Sequence, residues 1–294
     1  MPQPPPEGMN WGSPGRPAQL SFTRLLADAV ADMSTSGYVS RERIEMWLSL
    51  LRNAAERELG PVTNIDDMVK RGLGATFKKL VDDGKVITYV PGVARFNIQM
   101  VRPQLRAELD RRIMASADLI KLHRREVIER TLQRFTGWST SIPPGGDDTI
   151  DKRETRTDIG KSLAQFKYER RRVDIDQGHK LIANISEIVG LDAGAIAGVW
   201  HDHGEHDKAY NARPDHMDRA GKIYLVRDSW AHSEGLIKAL NGYTDEITKP
   251  AQEPFCRCRY TWITSPRRLP DQFLTNKGQE WVERGRIEAL RRAA

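Results

Sequence analysis

Cysteine is almost missing from this chain: 294 residues hold two, both in Cys256-Arg257-Cys258. Two thiols so close together cannot staple a secreted fold, so a reducing compartment is the better fit. Long apolar runs are missing too. No stretch approaches the roughly 18 consecutive apolar residues of a membrane helix, and no membrane partner is expected. The opening Met1-Pro2-Gln3-Pro4-Pro5-Pro6 lacks the charged-then-apolar order of an export signal, so none is expected. A phosphate-cradling glycine loop is absent, because Gly145-Gly146 runs into Asp147-Asp148, the wrong charge. There is no serine-nucleophile elbow and no internal repeat.

What is present is charge. Charged residues make up 29% of the chain against 39% hydrophobic, the balance of a soluble protein with much exposed helical surface. The net charge of +6 is segregated. Segments 101–135, 152–180 and 257–294 each carry nine Lys or Arg, against five, five and four acids. Such clustering suits either a polyanion-binding surface or solvated helix faces with local ion pairs.

Residues 1–20, with six prolines and three glycines, read as a disordered leader. Residues 21–100 read as a small helical and hairpin subdomain. Ser21 caps a first helix that Gly37 ends, Ser40 caps a second that Gly60-Pro61 stops, and a third runs from Asn64 to Val81. Lys85 to Val90 and Ala94 to Gln99 look like a hairpin joined by Pro91-Gly92-Val93. Helix, helix, hairpin is the order of a winged-helix DNA-binding unit.

Residues 101–190 form a long-helix region. Leu105, Leu109, Ile113, Ile120, Leu132 and Phe135 recur at helical steps, and a helix over 103–135 would be roughly 50 Å long. A turn-rich linker, 137–158, separates it from a second long helix from Leu163 to a C-cap at Gly190. That helix holds the basic run Arg170-Arg171-Arg172, a candidate phosphate contact. Residues 191–270 form a compact α+β module, and 271–294 a basic C-terminal helix.

The module concentrates the chemistry. Four of the seven histidines (His201, His203, His206, His216) fall within sixteen of its residues, ahead of both cysteines. If Cys256 and Cys258 lie in a strand, both sulfurs face one side. Zinc would accept Cys256, Cys258, His216 and one of His201 (the first choice), His203 or His206 as a tetrahedron; the alternative is two half-buried thiols in a core strand. No other cofactor is expected. Asp215-His216 also suggests a metal-dependent nuclease of the His-Asn-His type, with His203 or Asn211 in support.

Arg213, His216, Gly221, Pro250 or Pro254, and Cys256-Arg257-Cys258 together resemble the signature of the phage Mu F-like minor head proteins, the head-morphogenesis family. The flanks Lys222 to Ala231, Gly242 to Thr248 and Arg134 to Pro143 look like one branch of it, so the resemblance covers roughly residues 100–280. The resemblance implies a non-enzymatic virion protein, an α-rich N-terminal half followed by the α+β module. It further implies association with the portal protein and the major capsid or scaffolding protein, oligomerisation on the portal ring, and location at the portal vertex inside the capsid after assembly in the host cytoplasm. Nonspecific contact with double-stranded DNA would fall to Arg170, Arg171, Arg172, Arg267 and Arg268. Arg213, His216 and Asp228 are expected to form a buried polar network that locks the long loop onto the last strand.

Overall fold

The computed structural model describes residues 21–59, 62–166, 172–202 and 213–293. Among these residues the fold is mostly helical with one three-stranded antiparallel sheet, which agrees with the broad α+β expectation. It divides into two compact units, Met1–Pro61 with His123–Gln165, and Val62–Leu122 with Phe166–Ala294.

The first unit is helical. Helix α1 (Phe22–Ser36) starts where Ser21 Oγ accepts the Arg24 N–H, and ends at Gly37, whose φ of 68° suits glycine. Helix α2 (Arg41–Leu59) packs Ile44, Trp47 and Leu51 against Leu26, Val30 and Met33 of α1. Asp32 is shared by both helices: it accepts from Trp47 Nε1 at 2.7 Å and pairs with Arg43. Ile128, Leu132 and Phe135 complete this core. They come from α5 (Arg102–Ser139), the long helix that its apolar periodicity predicts. The expected linker is not a free spacer. Gly145 and Asp147 donate their N–H groups to the carbonyls of Ser36 and Ser34, which the end of α1 leaves without helical donors. Within the linker, Lys152–Ile159 is helical (α6).

The second unit contains α3 (Val62–Phe77), α4 (Arg95–Met100), the first part of α5, α7 (Gly178–Asp192) and the sheet. No hairpin forms over 85–99: Lys85–Thr88 is a 3-10 turn and Arg95–Met100 is α4. The buried residues there are Val86, Val90, Val93 and Ile98, spaced by three to five positions rather than alternating. The second long helix is also interrupted. Gly160–Phe166 is 3-10 and Arg172–Gln177 is a π turn that carries Asp176 and Gln177 into the interior. Gly190 does not cap α7. It lies inside the helix, where a Cβ would stand 2.6 Å from the Trp262 ring, so it serves close helix-on-sheet packing.

The sheet is ordered β2-β1-β3, from β1 (Ala197–His201), β2 (Ile223–Leu225) and β3 (Arg259–Ile263). Gly198 pairs with both Tyr224 and Trp262, and Trp200 with Tyr260. Alternation then gives one face to Trp200, Tyr224, Tyr260 and Trp262. These aromatics share a core with Leu73 of α3, Leu105 of α5 and Leu181 of α7. The other face, with Ala197, Ile223, Leu225 and Ile263, packs on Leu236 and Phe273. The Trp262 N–H donates to the Tyr89 carbonyl at 2.8 Å, covering the free edge of β3.

Residues 191–270 therefore do not stand as a separate module. The sheet shares its core with α3 and α5, and the boundary expected near residue 100 falls inside one packed unit. The basic helix expected over 271–294 runs over Asn276–Ala293 (α9), and its Trp281 and Val282 pack on the second sheet face.

Candidate metal centre

Arg213 is the extended residue before a five-residue helix, α8 (Pro214–Asp218), and Pro214 sets its first turn. This short helix turns His216 wholly into the interior. Gly221 follows with φ 74°, in a left-handed turn that hands the chain to β2, and its N–H donates to the Trp200 carbonyl. Trp200 in turn donates its N–H to the Lys222 carbonyl. These bonds hold α8 over β1, with the His216 ring edge-on to Trp200 at 5.3 Å between centroids.

Cys256 and Cys258 approach from the other side. They precede β3 rather than lying in it, and both are buried. The His216 Nδ1 atom is 3.4 Å from Cys256 Sγ and 3.6 Å from Cys258 Sγ. These three residues form a group that could hold a metal ion, their ligand atoms all within 4.8 Å of one another. The loop before them is unusual. Ala251 and Phe255 have φ of 60° and 58°, uncommon for residues with side chains. The Ala251 N–H is aimed at Cys256 Sγ at 3.3 Å, and the Phe255 N–H donates to buried Asp176 at 2.8 Å.

A hydrogen bond from Cys258 outweighs burial and brings Cys256 down to about 6, aided by backbone donors. That same bond, with burial and the nearby negative sulfur, pushes Cys258 up. The pair therefore gives up a first proton readily and holds the second.

The far side of the imidazole faces a carboxylate. Among the described residues His216 Nε2 is buried with no hydrogen-bond partner, 3.6 Å from Glu253 Oε2 and 3.8 Å from Asp215 Oδ2. Glu253 Oε2 is itself paired with Arg213 Nε at 2.7 Å, and Arg213 Nη2 reaches the Pro254 carbonyl. Arg219 pairs with Asp215 at 3.0 Å and lies over the Trp200 ring.

The structure thus brings together Arg213, His216, Cys256 and Cys258, with Gly221 shaping the turn. It does not bring in His201. That residue follows Trp200 in β1, so its side chain leaves the opposite face of the sheet, half-buried beside Arg259. Burial first, and then the Arg259 charge, lower its pKa. Asp228 is exposed beyond β2 and is not part of a buried network with His216. Arg257, between the cysteines, is half-buried.

Among the expected phosphate contacts, Arg170 and Arg171 lie outside the described residues, as do His203, His206 and Asn211. Arg172 is half-buried. Arg267 and Arg268 are exposed, but Arg267 lies over the Trp281 ring and Arg268 donates to the Pro91 carbonyl at 2.7 Å. Glu253 and Asp176 escaped the sequence reading. The signal for Glu253 was an acid just ahead of the cysteines and an arginine needing a partner; Asp176 gave none. Comparisons with protein families, with curated proteins and with solved structures find no match to this chain.

Proposed function

We propose that this chain is a minor head protein of a tailed bacteriophage, a non-catalytic component of head morphogenesis that acts at the portal vertex. One observation carries the reading: the signature residues come from two distant stretches of sequence and meet, His216, Cys256 and Cys258 in the interior and Arg213 at its rim. A signature that closes on itself is suited to locking a loop and a strand together, which an assembly protein needs and an active site does not. Its partners on this reading are the portal protein, the major capsid or scaffolding protein, and packaged double-stranded DNA held without sequence preference through the basic segments.

The alternatives fare less well. A nuclease would need His216 to meet a water beside a phosphate, yet its side chain is 0% exposed. A winged-helix regulator would need a β wing where this chain has a 3-10 turn and α4.

The test is quantitative mass spectrometry of purified virions and portal-bearing precursors from the phage that encodes this chain. A small fixed ratio to the portal protein is the expected result. Complete absence from both particles overturns the reading. DNA contact has its own measurement: affinity should fall steeply as salt rises, through release of counterions, and binding unchanged between low and physiological salt removes that part.

A further inference from the structure

Two sulfur atoms and one imidazole nitrogen converge in the interior, and hydrogen bonding alone accounts for them poorly. One ring nitrogen engages through one proton or one lone pair, so it serves one sulfur well and not two. A tetrahedral cation serves all three. With Zn–S near 2.3 Å and Zn–N near 2.0–2.1 Å, the nitrogen and each sulfur stand about 3.5 Å apart along the tetrahedron's edges. Here the two edges measure 3.4 and 3.6 Å. Two thiolates and an imidazole select a soft or borderline ion, and exclude magnesium and calcium, which take oxygen.

The surroundings point the same way. A histidine that binds metal through one nitrogen commonly donates the other N–H to a carboxylate, which fixes its tautomer. Among the described residues His216 Nε2 is buried and makes no hydrogen bond; Glu253 Oε2, held by Arg213, is 3.6 Å from it and the exposed Asp215 Oδ2 3.8 Å. The Ala251 N–H pointing at Cys256 Sγ is what a thiolate ligand accepts, and the chain holds Ala251 at positive φ while supplying it.

We propose that His216 Nδ1, Cys256 Sγ and Cys258 Sγ bind one zinc ion, with Glu253 and Arg213 orienting the imidazole, and that the ion ties α8 to the start of β3. The described residues supply three of the ion's ligands. The thiol protons are released to solvent as the ion binds. The centre is structural and does not depend on the head-protein reading.

The test uses the full chain purified from zinc-replete culture, with zinc counted by elemental mass spectrometry and then replaced by Co2+. The expected results are one zinc per chain, and a tetrahedral cobalt spectrum with thiolate-to-metal charge transfer. Cys256→Ser and Cys258→Ser should each weaken that band and lose zinc. His216→Cys should keep the ion and strengthen the band, which covers the case in which His216→Ala fails to fold. Glu253→Gln should keep the ligand spectrum while zinc affinity, read by chelator competition, falls about 10–100-fold. A wild-type chain that is folded by circular dichroism yet carries no zinc and gives no cobalt spectrum overturns the proposal. So does an unchanged cobalt spectrum in the Cys256→Ser/Cys258→Ser double variant, which would place the ion elsewhere. An unchanged affinity in Glu253→Gln removes Glu253 from the centre.

Discussion

Arg213 Nε and Glu253 Oε2 lie 2.7 Å apart, an ion pair between the residue that opens α8 and the loop that leads to the cysteines. Ordinary surface pairs contribute little, and both side chains here are partly exposed. This one differs because the Glu253 oxygen is buried and faces His216. Arg213→Ala would leave that oxygen without its cation, and we expect a loss of about 1–3 kcal/mol in urea unfolding. In the Glu253→Gln background the same substitution should cost much less. A loss of about 0.5 kcal/mol or below, the size of an ordinary surface change, would mean that the pair does not anchor the loop.

Two glycines in helices should respond in opposite directions. At Gly190 a new Cβ would press on the buried Trp262 ring at 2.6–2.9 Å, so Gly190→Ala should destabilise by about 1–3 kcal/mol. At Gly74 in α3 a Cβ meets nothing within 4 Å, and Gly74→Ala should stabilise by about 0.5–1 kcal/mol through lower unfolded-state entropy. Thermal or urea unfolding of the two variants side by side checks both signs. A neutral Gly190→Ala would mean that α7 slides on the sheet at little cost.

Much of the fold was legible wherever local chemistry decides. Ser21 and Gly37 bound α1 because a cap and a left-handed turn are local events. Helix α5 followed from apolar period alone. That 85–99 forms no hairpin was not legible, since β-branched residues there suit a strand, and only packing of Val86, Val90 and Ile98 into the helical core decides against it. The domain boundary failed for the same reason: nothing local in α3 announces that it shares a core with a strand such as β3. At the site, Cys256, Cys258 and His216 stood out by residue type. His201 stood out equally, and only its register in β1 turns it away. Asp176 is visible in three dimensions alone, because its partner Phe255 is distant in sequence.

That Asp176 contact has a measurable consequence. Its buried carboxylate accepts the Phe255 N–H, pairs with Lys180 at 3.2 Å and accepts from Gln177, which also accepts from Ser116. Asp176→Ala would strand several buried groups at once and release the positive-φ turn ahead of Cys256. A loss of about 3–5 kcal/mol is expected, the range for breaking a buried pair from one side. Hydrogen exchange should also quicken at the Phe255 and Ala251 amides before global unfolding. Protection unchanged at those two amides would show that the turn holds without Asp176.

Acid should weaken the second unit through Glu108. This side chain is buried on α5, and burial alone would raise its pKa. Hydrogen bonds from Asn184 at 2.6 Å, Arg112 at 3.0 Å and Arg111 at 2.6 Å outweigh burial and hold it below the ordinary value. The sign follows from linkage. A carboxyl whose folded pKa lies below the unfolded value, about 4.3, adds stability that is present above that value. The gain is lost as pH falls through the lower folded value, because the unfolded chain takes up the proton first. Unfolding of wild type should therefore ease with falling pH below about 4.3, the unfolded-state value. Glu108→Gln keeps the shape and cannot titrate, so it should be less stable at neutral pH and less sensitive to acid. Measured from pH 3 to 7, roughly the span bracketing carboxyl titration, parallel curves for the two proteins would refute this assignment. Converging curves at the acid end would place the lost stability on the contact between α5 and α7 that Glu108 makes through Asn184.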